Sequence, residues 1–271
     1  MLNLKRVAAI NDLSGFGRCS LTVAIPVISA FGVQVCPLPT AILSAHTGFP
    51  HYSFCDFTEN MQEYANKWEA LGLRFDTVYS GFLGSEAQID IVSRFKAKQE
   101  EALFLVDPVM GDEGLVYKTY TPDMCRSMKR LCSGADIITP NLTEACILLD
   151  EAYPERELNR EEIEKMLLSL GKIGAKNIVI TGIPHKNKFI NAAFGKGNIV
   201  LFENVHIDID INGSGDLFAS LLCAYVTNGA SFETAVEKAG KFVTEAIEFT
   251  RKNTHNPEHG IMFEPLLRKE M

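Results

Sequence analysis

Short apolar runs alternate with longer stretches of helical period along this chain, and that order restricts what it can fold into. Strands separated by helix-length crossovers pair in parallel, with the helices packed over the sheet. Arg6–Asn11, Val33–Thr40, Thr77–Ser80, Ala102–Val106, Asp136–Thr139 and Asn177–Thr181 read as strands. Arg18–Phe31, Glu59–Leu71, Glu86–Lys98, Asp123–Leu131, Leu142–Leu149 and Glu161–Gly171 read as helices. Lys188–Phe194 and Ile199–Ile207 read as an antiparallel pair joined at Gly195–Gly197, and two long helices, Leu217–Thr227 and Phe232–Arg251, close the chain. Pro26 should kink its helix or shorten its start, and Pro37 and Pro39 put the second strand near an edge. No repeat, low-complexity tract or linker divides the 271 residues. The expectation is an α/β fold: a central, mostly parallel sheet with helices on both faces, in one domain spanning residues 1–271.

Composition removes several function classes. Apolar residues make up 46% of the chain, enough for a sizeable core and too many for a disordered segment. A net charge of −8 leaves no electrostatic footprint for nucleic acid. No apolar run approaches the roughly 20 residues needed to cross a bilayer. Lys5 and Arg6 precede only the short run Val7–Ile10, which reads as a strand and not as a signal peptide. The seven cysteines are odd in number and none form C-x-x-C, which points to a reducing cytosol without a structural metal. His255 and His259 have the spacing of a helical metal pair, but Pro257 between them favours loop histidines.

Every one of the six parallel-type strands exits into polar residues: Asn11-Asp12, Thr40, Ser80-Gly81, Asp107-Pro108, Thr139-Pro140-Asn141 and Thr181-Gly182. Ligands of open α/β sheets bind outside the carboxyl ends of the strands. Any one of these residues suits a turn; six in succession predict a site at that edge.

The run Ile211–Ser220 carries the sharpest chemistry. It passes from a β-branched stretch through Gly213-Ser214-Gly215 into a helix with Leu217, Phe218, Leu221, Leu222 and Tyr225 on one face. Small residues before a helix leave its first N–H groups open to an anion, above all phosphate. Asp216, in the first turn, would aim its carboxylate at the same space, suited to taking a proton from a hydroxyl while charge builds on a phosphoryl group. A plain helix cap is the alternative reading. Asp107 and Asp112, in one strand-end loop, could hold a hydrated Mg²⁺ or simply form turns. Asn141 and Glu144 have the spacing of a capping box. Ser44-Ala45-His46-Thr47-Gly48 could line a small-molecule pocket or be exposed turn. The chain lacks the third glycine of G-x-G-x-x-G after Asp12, a Walker-type G-x-x-x-x-G-K-[ST] and G-x-S-x-G, which counts against dinucleotide-binding, Walker-type and serine-hydrolase readings. An anion hole, one base and acids for Mg²⁺ fit phosphoryl transfer.

Gly213–Asp216 resembles the G-[TS]-G-D signature of the ribokinase superfamily, and Asn141…Glu144 matches its N-x-x-E motif. Asp107–Asp112 (D-P-V-M-G-D), Thr139–Glu144 (T-P-N-x-x-E) and Ser44–Gly48 (S-x-H-T-G) are similar to its pyridoxal kinase branch, in order along nearly the whole chain. The resemblance implies an ATP-dependent kinase acting on the hydroxymethyl group of pyridoxal, pyridoxine or pyridoxamine, usually a cytosolic homodimer. It implies Asp216 as base, with the N–H groups of Gly213, Ser214 and Gly215 stabilising the phosphoryl group. It implies Asp107, Asp112 and Glu144 around Mg²⁺ and a monovalent cation (K⁺ or Na⁺). Asn141, Thr139, Thr181, Ser214 and Tyr117 would lie near ATP, and Asp12, Ser44 and Thr47 would face the vitamer ring.

Two departures bear on substrate. Asp12, where pyridoxal kinases commonly carry Ser, makes a D-x-S-G stretch closer to the hydroxymethylpyrimidine kinases of thiamin biosynthesis. Its carboxylate would favour a ring group that donates a hydrogen bond. Gly182 replaces a polar residue often seen after Thr181. Hydroxymethylpyrimidine phosphorylation is therefore the alternative reaction, and a non-catalytic ligand-binding protein of the same fold is the alternative from another class.

Overall fold

The computed structural model describes residues 4–186, 188–205, 207, 209 and 211–270. In chain order the elements are β1 (Arg6–Ser14), α1 (Ser20–Ala30), β2 (Gln34–Leu43), β3 (Phe54–Asp56), α2 (Thr58–Ala70), β4 (Thr77–Ser80), α3 (Glu86–Ala97) and β5 (Leu103–Val106). A hairpin of β6 (Gly111–Asp112) and β7 (Leu115–Val116) precedes α4 (Pro122–Ser133), β8 (Ile137–Ile138), α5 (Leu142–Leu149) and α6 (Arg160–Gly171). Then come β9 (Asn177–His185), β10 (Lys188–Gly195), β11 (Asn198–Val205), α7 (Ser214–Thr227), α8 (Phe232–Asn253), a 3-10 turn at Pro257–His259, and α9 (Glu264–Glu270).

One sheet takes the order β11-β10-β9-β8-β5-β4-β1-β2-β3. The pairs from β2 to β9 are parallel, while β3, β10 and β11 join antiparallel to their neighbours. Alternate strand residues feed two cores, since successive side chains leave a strand on opposite faces. Ala8 and Ile10 pack with Met61, Ile91, Met128 and Leu167 under α2, α3, α4 and α6. Val7 and Ala9 pack with Leu21, Val27, Leu221 and Val236 under α1, α7 and α8. The expected α/β architecture, with helices on both faces of a mostly parallel sheet, is the one observed.

Local departures have physical causes. The first helix begins at Ser20, not Arg18, and continues through Pro26, whose ring sits on the exposed side. β2 is one strand in from the edge: β3 pairs only with Ala41–Leu43, beyond Pro37 and Pro39, where the backbone again has N–H groups to share. β9 runs four residues further than expected, to His185. It faces a register shift at Asn191, whose Oδ1 accepts the N–H of Gly182 at φ +64. The last expected strand ends earlier, at Val205; His206 lies outside the described residues. α7 is buried all round from Leu217 to Ala224 and not on one stripe. Nor is α8 the last helix, since α9 comes after it. Among the described residues no helix is long and apolar enough to cross a membrane.

Candidate active site

The parallel register sets Ile10, Ser80, Val106, Ile138 and Ile178 in one row across the sheet. The polar residues next in sequence therefore emerge along one edge, where Asn11, Gly81, Asp107 and Thr139 meet the start of α7.

At that start Gly213 occupies the N-cap position at φ +83 and no side chain caps the helix. A Cβ at Gly213 would lie 2.0 Å from the carbonyl oxygen of Arg18, so this turn packs against the β1–α1 loop only because it is glycine. A Cβ at Gly215 would meet nothing within 4 Å, so the space before the helix is open. The first backbone N–H groups of α7 and its dipole face that space, as an approaching phosphoryl group requires. Asp216, half-buried in the first turn, accepts from Asn11 Nδ2 at 3.4 Å. Withdrawal from water pushes its pKa up to about 6, with the neighbouring Asp12 adding to the rise and the Ser20 N–H and Asn11 opposing it.

Across the edge lie the other acids. Asp107 is buried, accepts from Thr139 Oγ1 at 2.8 Å, and is pushed up to about 7 by burial and by Asp216. Glu144 is held well above the carboxylate range by burial and by Asp107. Its two oxygens are engaged, Oε2 by the N–H of Asn141 (2.8 Å) and Oε1 by the N–H of Met110 (3.1 Å). Asn141 Oδ1 accepts the Glu144 N–H at 2.8 Å, completing the expected capping box. Asn141 Nδ2 donates to Gly111 O at 2.9 Å and reaches Asp112 Oδ1 at 3.5 Å, tying α5 to the β6–β7 hairpin. Tyr117, just past β7, donates its N–H to Met110 O and keeps its ring exposed. Thr181 lies beside Asn141 in an isolated bridge and donates its N–H to Pro140 O.

Among the described residues, no three His, Cys, Asp or Glu side chains gather as a metal cluster. Of the three acids expected around a cation, Glu144 accepts two backbone N–H groups, Asp112 lies on the exposed β6–β7 hairpin and Asp107 is buried at the strand end. The acids still fit a hydrated Mg²⁺, which needs one or two carboxylates and takes its other oxygens from phosphate and water. Asp107 is a buried carboxylate that burial and Asp216 both discourage from ionising, and a cation there would relieve that repulsion.

On the other side, Asp12 is buried, accepting from Ser20 Oγ (2.5 Å) and Ser14 Oγ (2.8 Å). Burial raises its pKa and the two hydroxyls oppose the rise. Ser20 sits at φ +49, in the left-handed region. Ser44 and Thr47 are exposed, and Ser44 Oγ accepts the Ser53 N–H at 2.8 Å. Between them His46 is buried. Phe49, Phe16 and His259 form an aromatic group beside it, with Phe16 5.4 Å from Phe49 and 5.1 Å from His259.

Asn11 was visible in the sequence only as a polar strand exit. It bonds Asp216, and its Oδ1 accepts the N–H groups of Phe82 (2.8 Å) and Asp12 (3.0 Å). The signal was Gly81, since a Cβ there would lie 2.2 Å from Asn11 Nδ2.

The model of the phosphomethylpyrimidine kinase family matches residues 25–262. The pyridoxal kinase PdxY of Leifsonia xyli subsp. xyli is 25% identical over 259 residues, 90% of this chain and 89% of that protein. A proposed phosphomethylpyrimidine kinase from Bacteroides thetaiotaomicron, whose crystal form was solved with pyridoxal, superposes with a TM-score of 0.94 at 38% identity, covering 99% of this chain and 96% of the other. The pyridoxal kinase of Lactobacillus plantarum superposes with a TM-score of 0.91 at 27% identity, covering 98% and 96%. An open, left-handed glycine turn with a half-buried acid behind it, on a fold shared end to end with these kinases, identifies the class: the chain belongs to the phosphomethylpyrimidine kinase family, in the pyridoxal kinase branch of the ribokinase superfamily.

Proposed function

We propose that this enzyme transfers the γ-phosphoryl group of ATP to the 5′-hydroxymethyl group of pyridoxal, pyridoxine or pyridoxamine. The observation that carries the reading is the α7 start, where an uncapped glycine turn opens onto free space at Gly215 and Asp216 follows in the first turn, at the carboxyl edge of the sheet. Asp216, with a pKa of about 6, is a carboxylate at neutral pH yet basic enough to accept a hydroxyl proton. It takes that proton as the acceptor oxygen forms its bond to the γ-phosphorus and ADP leaves. The N–H groups of Gly213, Ser214 and Gly215 stabilise the charge that spreads over the transferring oxygens. Asn11 orients the Asp216 carboxylate.

Asp107 is the carboxylate proposed to hold Mg²⁺, with Asp112 and Glu144 behind it and a monovalent cation nearby. When bound, Mg²⁺ neutralises charge on the phosphate oxygens. Thr139, Asn141, Thr181, Ser214 and Tyr117 are proposed to line the ATP site. Asp12, Ser44 and Thr47 are proposed to face the ring; two of the roughly four acceptor positions of Asp12 are taken by serine hydroxyls, leaving capacity for one ring donor. The proposed assembly is a homodimer in the cytoplasm, supported by the resemblance.

Hydroxymethylpyrimidine is the second acceptor to test, favoured by the family match and by Asp12. ADP release with ATP, Mg²⁺ and each of pyridoxal, pyridoxine, pyridoxamine and hydroxymethylpyrimidine decides. The expected products are B6 5′-phosphates. A large preference for hydroxymethylpyrimidine moves the enzyme to the thiamin branch, and silence with tight vitamer binding makes it a binding protein.

A further inference from the structure

The segment Asn256–Ile261 supplies no group to the proposed reaction, yet it is bonded to three pieces of the site. The Arg18 N–H donates to His259 O at 3.1 Å, and Arg18 and Gly260 form a parallel bridge. The Ile261 N–H donates to Asn212 O at 3.0 Å, one residue before the glycine turn. His46 Nδ1 accepts the Gly48 N–H at 3.1 Å, so its proton is on Nε2, which donates to Glu258 O at 2.9 Å. Arg18 Nε adds an ion pair to Glu264 at 2.6 Å, at the start of α9.

Gly260, at φ +86, is where these bonds converge. A Cβ there would come within 2.8 Å of both the nitrogen and the oxygen of Arg18. The Arg18 backbone thus lies between two left-handed glycines, Gly260 on this segment and Gly213 on the catalytic turn. Two residues later the Ser20 N–H reaches the Asp216 carboxylate.

We propose that Asn256–Ile261 is a positioning clasp, with Gly260 as its pivotal residue, that fixes the Arg18 turn and the His46 loop against the phosphoryl-holding turn. Its kinetic consequence rests on the kinase reading above; its geometric consequence does not. Catalysis by positioning is sensitive to small shifts, and a displacement of about 1 Å can cost on the order of 10²-fold.

The test compares Gly260→Ala with Gly229→Ala. Gly229 also has a positive φ, +90, but a Cβ there meets nothing within 4 Å, so it gives a positive-φ substitution without the collision. Kinetics are measured with ATP and whichever of pyridoxal, pyridoxine, pyridoxamine and hydroxymethylpyrimidine the wild type turns over. Gly260→Ala should lower kcat about tenfold with the KM for ATP within about twofold, while Gly229→Ala leaves both within about twofold. Equal losses in both variants, or an unchanged kcat in Gly260→Ala, overturn the clasp. Should Gly260→Ala not fold, Arg18→Met should lower kcat about threefold and Arg18→Lys recover it; an unchanged kcat in Arg18→Met counts equally against the proposal. Amide exchange gives a readout independent of activity. It should quicken at residues 211–216 and 44–48 in Gly260→Ala, or in Arg18→Met if that replaces it, but not in Gly229→Ala. Quickening confined to residues 257–263 overturns the clasp. A wild type that phosphorylates none of these four acceptors sinks the kinase reading and leaves the exchange result to decide the clasp.

Discussion

Two helices begin at the same edge of the sheet and are finished in opposite ways. α5 is closed by its own side chains: Asn141 caps Glu144, Glu144 returns the bond, and Asn141 also reaches the hairpin carbonyl of Gly111. α7 begins at a bare left-handed glycine with no side-chain cap. The first arrangement spends its polar groups on the protein, whereas the second leaves its first N–H groups without a side-chain cap. The difference separates a self-capped helix start from the one proposed to hold the transferring phosphoryl group, even though both carry an acid in the first turn.

Substituting Asp216 should break the comparison most sharply. Asp216→Asn is expected to lower kcat by at least about 10², the lower range for loss of a general base, in a chain whose Tm is kept. Near-normal turnover would return α7 to the same class as α5. Gly213→Ala comes next, since the left-handed strain alone costs about 1–3 kcal/mol, before the collision with Arg18 O is counted. Its denaturant midpoint and kcat should both fall. Asn141→Ala should cost about 0.5–2 kcal/mol of stability, as the loss of a cap does, with a smaller effect on kcat than Asp216→Asn.

A gentler comparison uses pH. Asp107 near 7, Asp216 near 6 and Glu144 well above the carboxylate range are all raised on folding. Through the window from about pH 4 to 7 the folded chain holds more protons than the unfolded one, so stability falls as pH rises. Without nucleotide, Tm should be higher at pH 5 than at pH 7.5, and Mg²⁺ with ATP should flatten that slope. A Tm that rises across this window would show that the three acids are not jointly destabilised by ionisation.

Much of the fold was legible because it rests on local period: β4 and α5 fall at the bounds expected from the sequence. The strands missed were too short to have a period. β3 has three residues, and β6 and β7 have two each around Glu113 and Gly114. The glycine turn of α7 was legible because only small residues suit it. The second bond of Glu144 was not, because Met110 reaches it from 34 residues away, and the burial of Asp12 under Ser14 and Ser20 was not, because it depends on how the β1–α1 loop folds back. The contact of Arg18 with His259 joins residues 241 apart, and no local pattern encodes it.

The burial of α7 has a consequence for how such a chain can diversify. From Leu217 to Ala224 every side chain is inside the protein, directly after the residue proposed as base. A substitution that moves this helix disrupts the core and the chemistry together, so the reaction type is protected by the same constraint that protects folding. The exposed loop at Ser44 and Thr47 carries no such penalty. If Ser44 and Thr47 face the ring as proposed, acceptor preference can drift there while phosphoryl transfer is kept.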